Sequence, residues 1–354
     1  MINHNDKAAL AKRWAEKIKE DEDRVWKGEF DVEAQPLDME EHRNEKEFVN
    51  EAVQEIPLQA LEPWELHAGQ IDIAIRRNEP NVKGRQQGNK IKHLANIEPR
   101  KWCKGDIGVE IEVEGNRLPT RVQRYWTYTH DGSLNHDCGL EYVLKNPQSL
   151  GSVRCALKHF DYECKRMETQ LFDSIRAGVH IHINVQDLTK TELFNFIVLF
   201  LVWEEALVRY CGSNREGNLF CLRTRDAQYL LHSLMDIAAN GTLINFYDDD
   251  FRYAAMNVKA IIEHGSLEFR SMRSTKETKA IGDFAEMLLS LREKAKTYTD
   301  PRDIVNGFSG VTPEQFAKEC FGKQAHHLLT QHDLGETTIR GVRFAQDVAY
   351  AYKD

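Results

Sequence analysis

The stretch Gly108-Val-Glu-Ile-Glu-Val-Glu114 decides how this chain is read. It alternates without a break: Val109, Ile111 and Val113 on one side, Glu110, Glu112 and Glu114 on the other. Period-two alternation marks a half-buried strand. An ordinary surface strand mixes charge signs on its polar face. Here three carboxylates follow one another about 7 Å apart, and they repel unless something positive lies over them. Two readings are open from this stretch alone. One is a solvated edge strand that uses charge to avoid aggregation. The other is a ligand set for Mg²⁺ or Mn²⁺, which prefer carboxylate oxygen.

Downstream, Arg121–Thr129 reads as a second strand that ends in the turn sequence His130-Asp-Gly-Ser133. Gly139–Leu144 reads as a third, with Glu141 among apolar neighbours. Helical spacing follows over Ser149–Gln170. Ala177-Gly-Val-His-Ile-His-Ile-Asn184 alternates again, with His180, His182 and Asn184 opposite Val179, Ile181 and Ile183. Thr189-Lys-Thr-Glu192 is a capping-box pattern that opens an apolar helix through Leu193–Leu207. A polar loop over Arg209–Arg225 and a helix and turn over 226–250 come next. Ser266-Leu-Glu-Phe-Arg-Ser-Met-Arg273 places Glu268 and Arg270 opposite Leu267 and Phe269. Helices are expected over Lys276–Tyr298 and from the capping sequence Thr312-Pro-Glu-Gln315 onward.

Upstream, residues 76–104 hold nine Lys/Arg against two acids, with Pro80, Gly84, Gly88 and Pro99 giving a loop-like character. This segment reads as a solvated linker or as a flap over an anionic substrate. Residues 1 to about 75 carry apolar residues such as Trp14, Ile18 and Trp26 at helical intervals.

Composition bounds the class. With 354 residues, 41% hydrophobic and 29% charged, the chain has room for one large globular domain with appendages. A net charge of −9 argues against general nucleic-acid affinity. The opening residues are polar rather than signal-like, and the longest apolar run, Phe196–Trp203, is too short to span a bilayer. Seven scattered cysteines without a CxxC pair point to free thiols and a reducing, cytoplasmic setting.

Each motif is weak alone, but together they are specific. Separate strands carry Glu110/Glu112, Glu141, His180/His182 and Glu268, each with an apolar opposite face. They can form one sheet with helices behind and a charged concave front. Burying four or more carboxylates without counter-charge is prohibitive. Divalent cations and arginines would balance it, and mainly oxygen with one or two imidazoles favours Mg²⁺ or Mn²⁺ over structural zinc. Arginines beside such a cluster suggest phosphate chemistry. No Walker A sequence is present and no GxGxxG follows a strand, so a nucleotide would be held through metal and arginine.

The run GVEIEVEG, DGSL with GLEYV, AGVHIHIN, SNREGNLFC, then Asn257 and SLEFRSMRST resembles the amidoligase family of the glutamine synthetase and glutamate–cysteine ligase superfamily. The resemblance spans roughly residues 105–298. It implies an α+β fold: a curved antiparallel sheet of glutamine-synthetase-like type with helices on the convex face. It further implies ATP and Mg²⁺ (or Mn²⁺) as cofactors, and amide formation between a carboxylate and an amine through an acyl phosphate. By motif, Glu110, Glu112, Glu141, His180 and Glu268 match metal ligands. His182 and Arg270 match residues facing the transferring phosphoryl, and Arg273 joins them as a catalytic candidate. Arg215, Asn218 and Asn257 match nucleotide- or substrate-binding positions. Glu114, beside Gly115 at the strand end, is left to solvent.

The expected organisation is an N-terminal helical extension with the basic linker over 1–104, a catalytic core over 105–298, and helical decoration over 299–354. The extension departs from the family pattern and offers an oligomerisation arm, a lid or a docking segment. The expected partners are a small-molecule or peptide carboxylate and an amine, with no membrane association. The competing readings are a guanidino or amine kinase on the same fold, a metal-dependent hydrolase, and a degenerate binding protein.

Overall fold

The computed structural model describes residues 90–353, apart from 213–214, 217, 220 and 241–248. The helical reading of residues 1–75 and the first part of the basic segment lie outside the described residues.

The alternating stretch is β1 (Ile107–Asn116), with Ile107, Val109, Ile111 and Val113 buried. It pairs antiparallel with β3 (Gly139–Leu144) on one side and β5 (Gly178–Asn184) on the other. With β2 (Trp126–Thr129), β4 (Gln170–Leu171), β6 (Met256–Asn257) and β7 (Ser266–Arg273), the sheet runs β2-β3-β1-β5-β7-β6, and β4 pairs with the end of β1. Every pairing is antiparallel.

One strand reading is corrected, and another gains a bulge. The second strand is shorter than expected, because Val122 turns the chain: its carbonyl accepts from the Trp126 N–H at 3.0 Å, so Arg121–Tyr125 never extends. In β7, the register against β5 slips between Val179 and Ile181, so Arg270 and Ser271 together oppose His180. Plain alternation would send Arg273 to the same side as Leu267 and Phe269. The bulge buries Met272 instead and returns Arg273 to the side of Glu268 and Arg270.

The basic segment folds where it is described. It forms a short helix, α1 (Ile91–Leu94), whose Ile91 is fully buried, followed by a turn of 3₁₀-helix over Pro99–Lys101.

Three helices cover the apolar side of the sheet: α2 (Leu150–Arg166) packs on β1, α3 (Lys190–Cys211) on β7, and α6 (Thr278–Ala295) on β5. Between α3 and α6 lie α4 (Gln228–Asn240) and α5 (Ala260–His264). The α3 N-terminus has the full capping box, Thr189 with Glu192. Its apolar residues run all round the helix, as expected where protein lies on every side. Phe196 and Phe200 meet Phe269 of β7 at 5.7 and 4.9 Å between ring centres, and Trp203 stacks on Phe316.

The C-terminal helices close over the outer side of α3: α7 (Pro301–Gly307), α8 (Pro313–Phe321), α9 (His326–Leu329) and α10 (Leu334–Ala351). Gly341 lets α10 approach α3 closely, since a Cβ there would lie 2.2 Å from the Val202 carbonyl oxygen. All seven cysteines are free. No helix among the described residues is long and apolar enough to cross a membrane.

Candidate functional site

The register brings the acidic residues of distant segments to one face. Glu112 lies opposite Glu141, Glu110 opposite His180, and His182 opposite Glu268, which in turn lies opposite Asn257. Their side chains form two ligand-sized groups, Glu110–His182–Glu268 and Glu112–Asp131–Glu141, each with donor atoms within 4.8 Å of one another.

His180 is buried between them. Its Nδ1 lies 3.2 Å from Glu110 and 3.4 Å from Glu268, and its Nε2 lies 3.7 Å from Glu112. His182, the expected phosphate-facing residue, is the imidazole grouped with Glu110 and Glu268; its Nε2 stands 3.4 Å from Glu110 and its Nδ1 3.0 Å from the Ser266 hydroxyl.

The first group is surrounded by chain-borne donors. Arg270 donates to Glu268 at 2.5 Å and the Asn257 amide donates to the other Glu268 oxygen at 2.7 Å. The Lys259 N–H, held on the Asn257 carbonyl oxygen at 3.0 Å, fixes which end of that amide faces Glu268. Burial pushes the Glu268 carboxyl upward, but Arg270, His182 and His180 outweigh it and bring it down to about 2. Glu110 is likewise held well below the usual range, with His182 and His180 overcoming its burial. Burial works against protonated His182, yet Glu110 and Glu268 raise it.

The second group is different. Burial, then Glu110, Glu112 and Asp131, push Glu141 up to about 9. Burial also raises Glu112, against the pull of His180 and Arg270. Glu112 accepts a hydrogen bond from the Gly178 N–H at 2.9 Å, where the β1–β5 ladder has ended.

Asp131 is the acid that sequence reading passed over. It sits in the His130–Ser133 turn, where its carboxylate accepts from the Ser133 N–H at 2.6 Å and from the Ser133 hydroxyl. Its signal in the sequence is the DGSL motif, which reads as a turn and as part of the family resemblance and assigns the aspartate no ligand role. Glu114 is also corrected: it is half-buried and accepts from the Asn135 N–H at 2.7 Å, so it secures the 130–138 turn instead of facing solvent freely.

The remaining candidates flank the Gly178 end. Arg215 is 1% exposed. One of its terminal nitrogens donates to the Arg270 carbonyl at 2.7 Å, while its Nε and Nη1 have no hydrogen-bond partner among the described residues. Gly178 leaves room for it, since a Cβ there would lie 3.0 Å from Arg215 Nη2. Arg273 is exposed and lies along Gly212. The Asn218 amide donates to the Ile175 carbonyl at 3.1 Å, tying two loops together at the same end.

The donor set suits a hard divalent cation in each group: carboxylate oxygens, at most one imidazole per group, and no thiolate. A separate cleft of about 870 Å³ lies between α2 and α6. Its Lys165 pairs with Asp161 and its Lys279 with Asp283, each at 2.6 Å, so its charges largely satisfy one another.

The fold and site define a mixed α/β protein with an open antiparallel sheet and a paired acidic and histidine cluster on the face opposite the three covering helices. Within this chain, residues 164–291 match the family model described as "Putative amidoligase enzyme". That match bears out the resemblance to the amidoligase family over this segment. It contains His180, His182, Arg215, Asn218, Asn257, Glu268, Arg270 and Arg273, whereas Glu110, Glu112, Asp131 and Glu141 precede it. Comparison with curated proteins finds no match.

Proposed function

We propose that the chain is an ATP- and Mg²⁺- or Mn²⁺-dependent carboxylate–amine ligase on a glutamine-synthetase-like catalytic sheet. The observation that carries this reading is the pairing of the two acidic groups across His180, with Arg270 on Glu268 at their edge. A cation in each group would neutralise phosphoryl oxygens and lower the barrier to attack by a carboxylate.

The chain's own residues do the rest. Glu110, His182 and Glu268 hold the first position; Glu112, Asp131 and Glu141 hold the second. Arg270, already oriented by Glu268, presents its remaining donors to the phosphoryl group in transfer. Arg215 offers two nitrogens, Nε and Nη1, with no partner among the described residues, which suits a second anionic group of the substrate. In the proposed reaction, a substrate carboxylate oxygen bonds to the γ-phosphorus and ADP leaves. The amine nitrogen then bonds to the acyl carbon, phosphate leaves, and the amine gives up a proton.

The test is phosphate release from ATP with Mg²⁺ across a panel of carboxylates and amines. Release that requires both co-substrates supports the ligase. Release with an amine or guanidine alone, together with its phosphorylation, points to a kinase. Glu112→Gln is expected to abolish turnover, and full activity in that variant overturns the metal assignment.

A further inference from the structure

At the Gly108 end of β1, the site opens into a cavity of about 150 Å³. Glu110 and His182 form its inner side, and Cys103, Val143, Asn184 and His264 are among the residues that complete it. A pocket that encloses a whole small ligand measures about 300–1,000 Å³. This one suits a single portion of a ligand whose remainder lies over the acidic groups. Its lining mixes apolar Val143 and Pro147 with Asn184 and His264, a combination that receives a flat heteroaromatic ring.

Two of its walls lie outside the sheet. One is formed by Cys103, in the segment Lys101–Gly105 that precedes β1. The other is the turn at His264–Gly265, where Gly265 has φ +71° and a Cβ would come within 2.4 Å of Gln186 Nε2. The side chain of Gln186, only 1% exposed, joins the two. Its Nε2 donates to the Lys101 carbonyl at 3.1 Å and to the His264 carbonyl at 3.3 Å, and its Oε1 accepts from the Cys103 N–H at 3.2 Å. Asn184 adds a second tie, with its Nδ2 donating to the Gly105 carbonyl at 2.8 Å and to the Cys103 carbonyl at 3.3 Å. A solvated linker needs no buried amides to hold its carbonyls. Such bonds are costly to leave unmade once buried, and they fix this segment at one distance from the His264 turn.

We propose that Lys101–Gly105 is a ligand-contacting wall of the subsite for the base-and-sugar portion of a nucleotide, and that Gln186 is the positioning residue that holds it against the His264 turn. This rests on the ATP-dependent reading above. It gives the end of the basic segment, which precedes the family match, a place in the site.

The test compares ATP with inorganic tripolyphosphate, which carries phosphates but no base or sugar, by calorimetric titration of the full-length protein with Mn²⁺. Gln186→Leu removes the ties, and Cys103→Phe fills the cavity. Each is expected to weaken ATP binding about tenfold or more, the scale of a lost pocket contact, and to leave tripolyphosphate affinity unchanged. The unchanged arm also reports that the sheet and its acidic groups are folded.

A second measurement needs no variant. Alkylation of Cys103 by N-ethylmaleimide, followed by peptide mass mapping, is expected to be slowed by ATP and not by tripolyphosphate. If ATP binds the wild-type protein and neither variant nor alkylation distinguishes it from tripolyphosphate, the wall proposal falls and the ligase reading stands. If ATP binds no better than tripolyphosphate, or neither binds, both fall.

Discussion

The two acidic groups share one sheet face but are balanced in opposite ways. Glu110–His182–Glu268 carries its own counter-charge: Arg270 and Asn257 hold Glu268, and two imidazoles hold Glu110. Glu112–Asp131–Glu141 has the Gly178 N–H on Glu112, the Ser133 donors on Asp131, the far side of His180 and the more distant pull of Arg270, which do not offset burial and the neighbouring carboxylates, so Glu141 rises to about 9. If each group holds a cation, as proposed, the chain pre-forms one position and leaves the other to be completed by its ligand. A half-compensated cluster of this kind is destabilising in isolation. On the proposed reading, the second group is kept for function at a cost in stability.

The sharpest way to break this contrast is to remove one residue from each side and compare stabilities in chelator. Arg270→Met strips Glu268 of its buried partner and is expected to cost about 3–5 kcal/mol in urea denaturation. Glu141→Gln relieves repulsion and is expected to be neutral or stabilising under the same conditions, while turnover is lost. Comparable destabilisation by both variants would show that the groups are not balanced differently after all.

Metal stoichiometry sharpens the comparison further. Asp131→Asn is expected to remove one of two Mn²⁺ sites in calorimetry, or to weaken it by at least about 10–100-fold, the loss seen even for outer partners of metal ligands. The other site should keep its affinity. Loss of both together would mean that the groups act as a single centre.

Much of this was legible from the residues. Alternation in Gly108–Glu114 and Ala177–Asn184 gave two strands and their polar faces, and Thr189–Glu192 gave the start of the central helix. Three features were not legible, for physical reasons. The β7 bulge arises from pairing with β5, so no local pattern in Ser266–Arg273 announces that Arg273 changes side. Asp131 looks like any turn aspartate, because the same carboxylate that caps Ser133 also faces Glu112 and Glu141 only after β1, β2 and β3 have paired. The fixed position of Lys101–Gly105 was not legible, and the segment reads only as a linker or a flap, because its bonds run to Asn184 and Gln186, some eighty residues away.

The smallest expected effect is on pH dependence, and its sign follows from the same contrast. In chelator, folded Glu141 keeps its proton up to about 9, whereas the unfolded chain releases it near the ordinary glutamate value. Between those limits the folded state binds more protons, so stability falls as pH rises. Glu112, also raised, acts in the same direction. Raised His182 does too, contributing below the ordinary histidine value and losing that contribution as pH climbs through its folded value. His264, lowered by burial and by His182, opposes them in part. Glu110 and Glu268 are depressed, so their contributions are lost only in acid and stay constant across this window. Urea midpoints in chelator should therefore drop between about pH 6 and about pH 8.5, either side of the ordinary histidine range. Saturating Mn²⁺ should reverse the trend, because binding that displaces protons stabilises more as pH rises. A chelated protein that grows more stable over that interval would mean that Glu141 is already ionised in the fold, and the second group would then need a counter-charge from the chain itself.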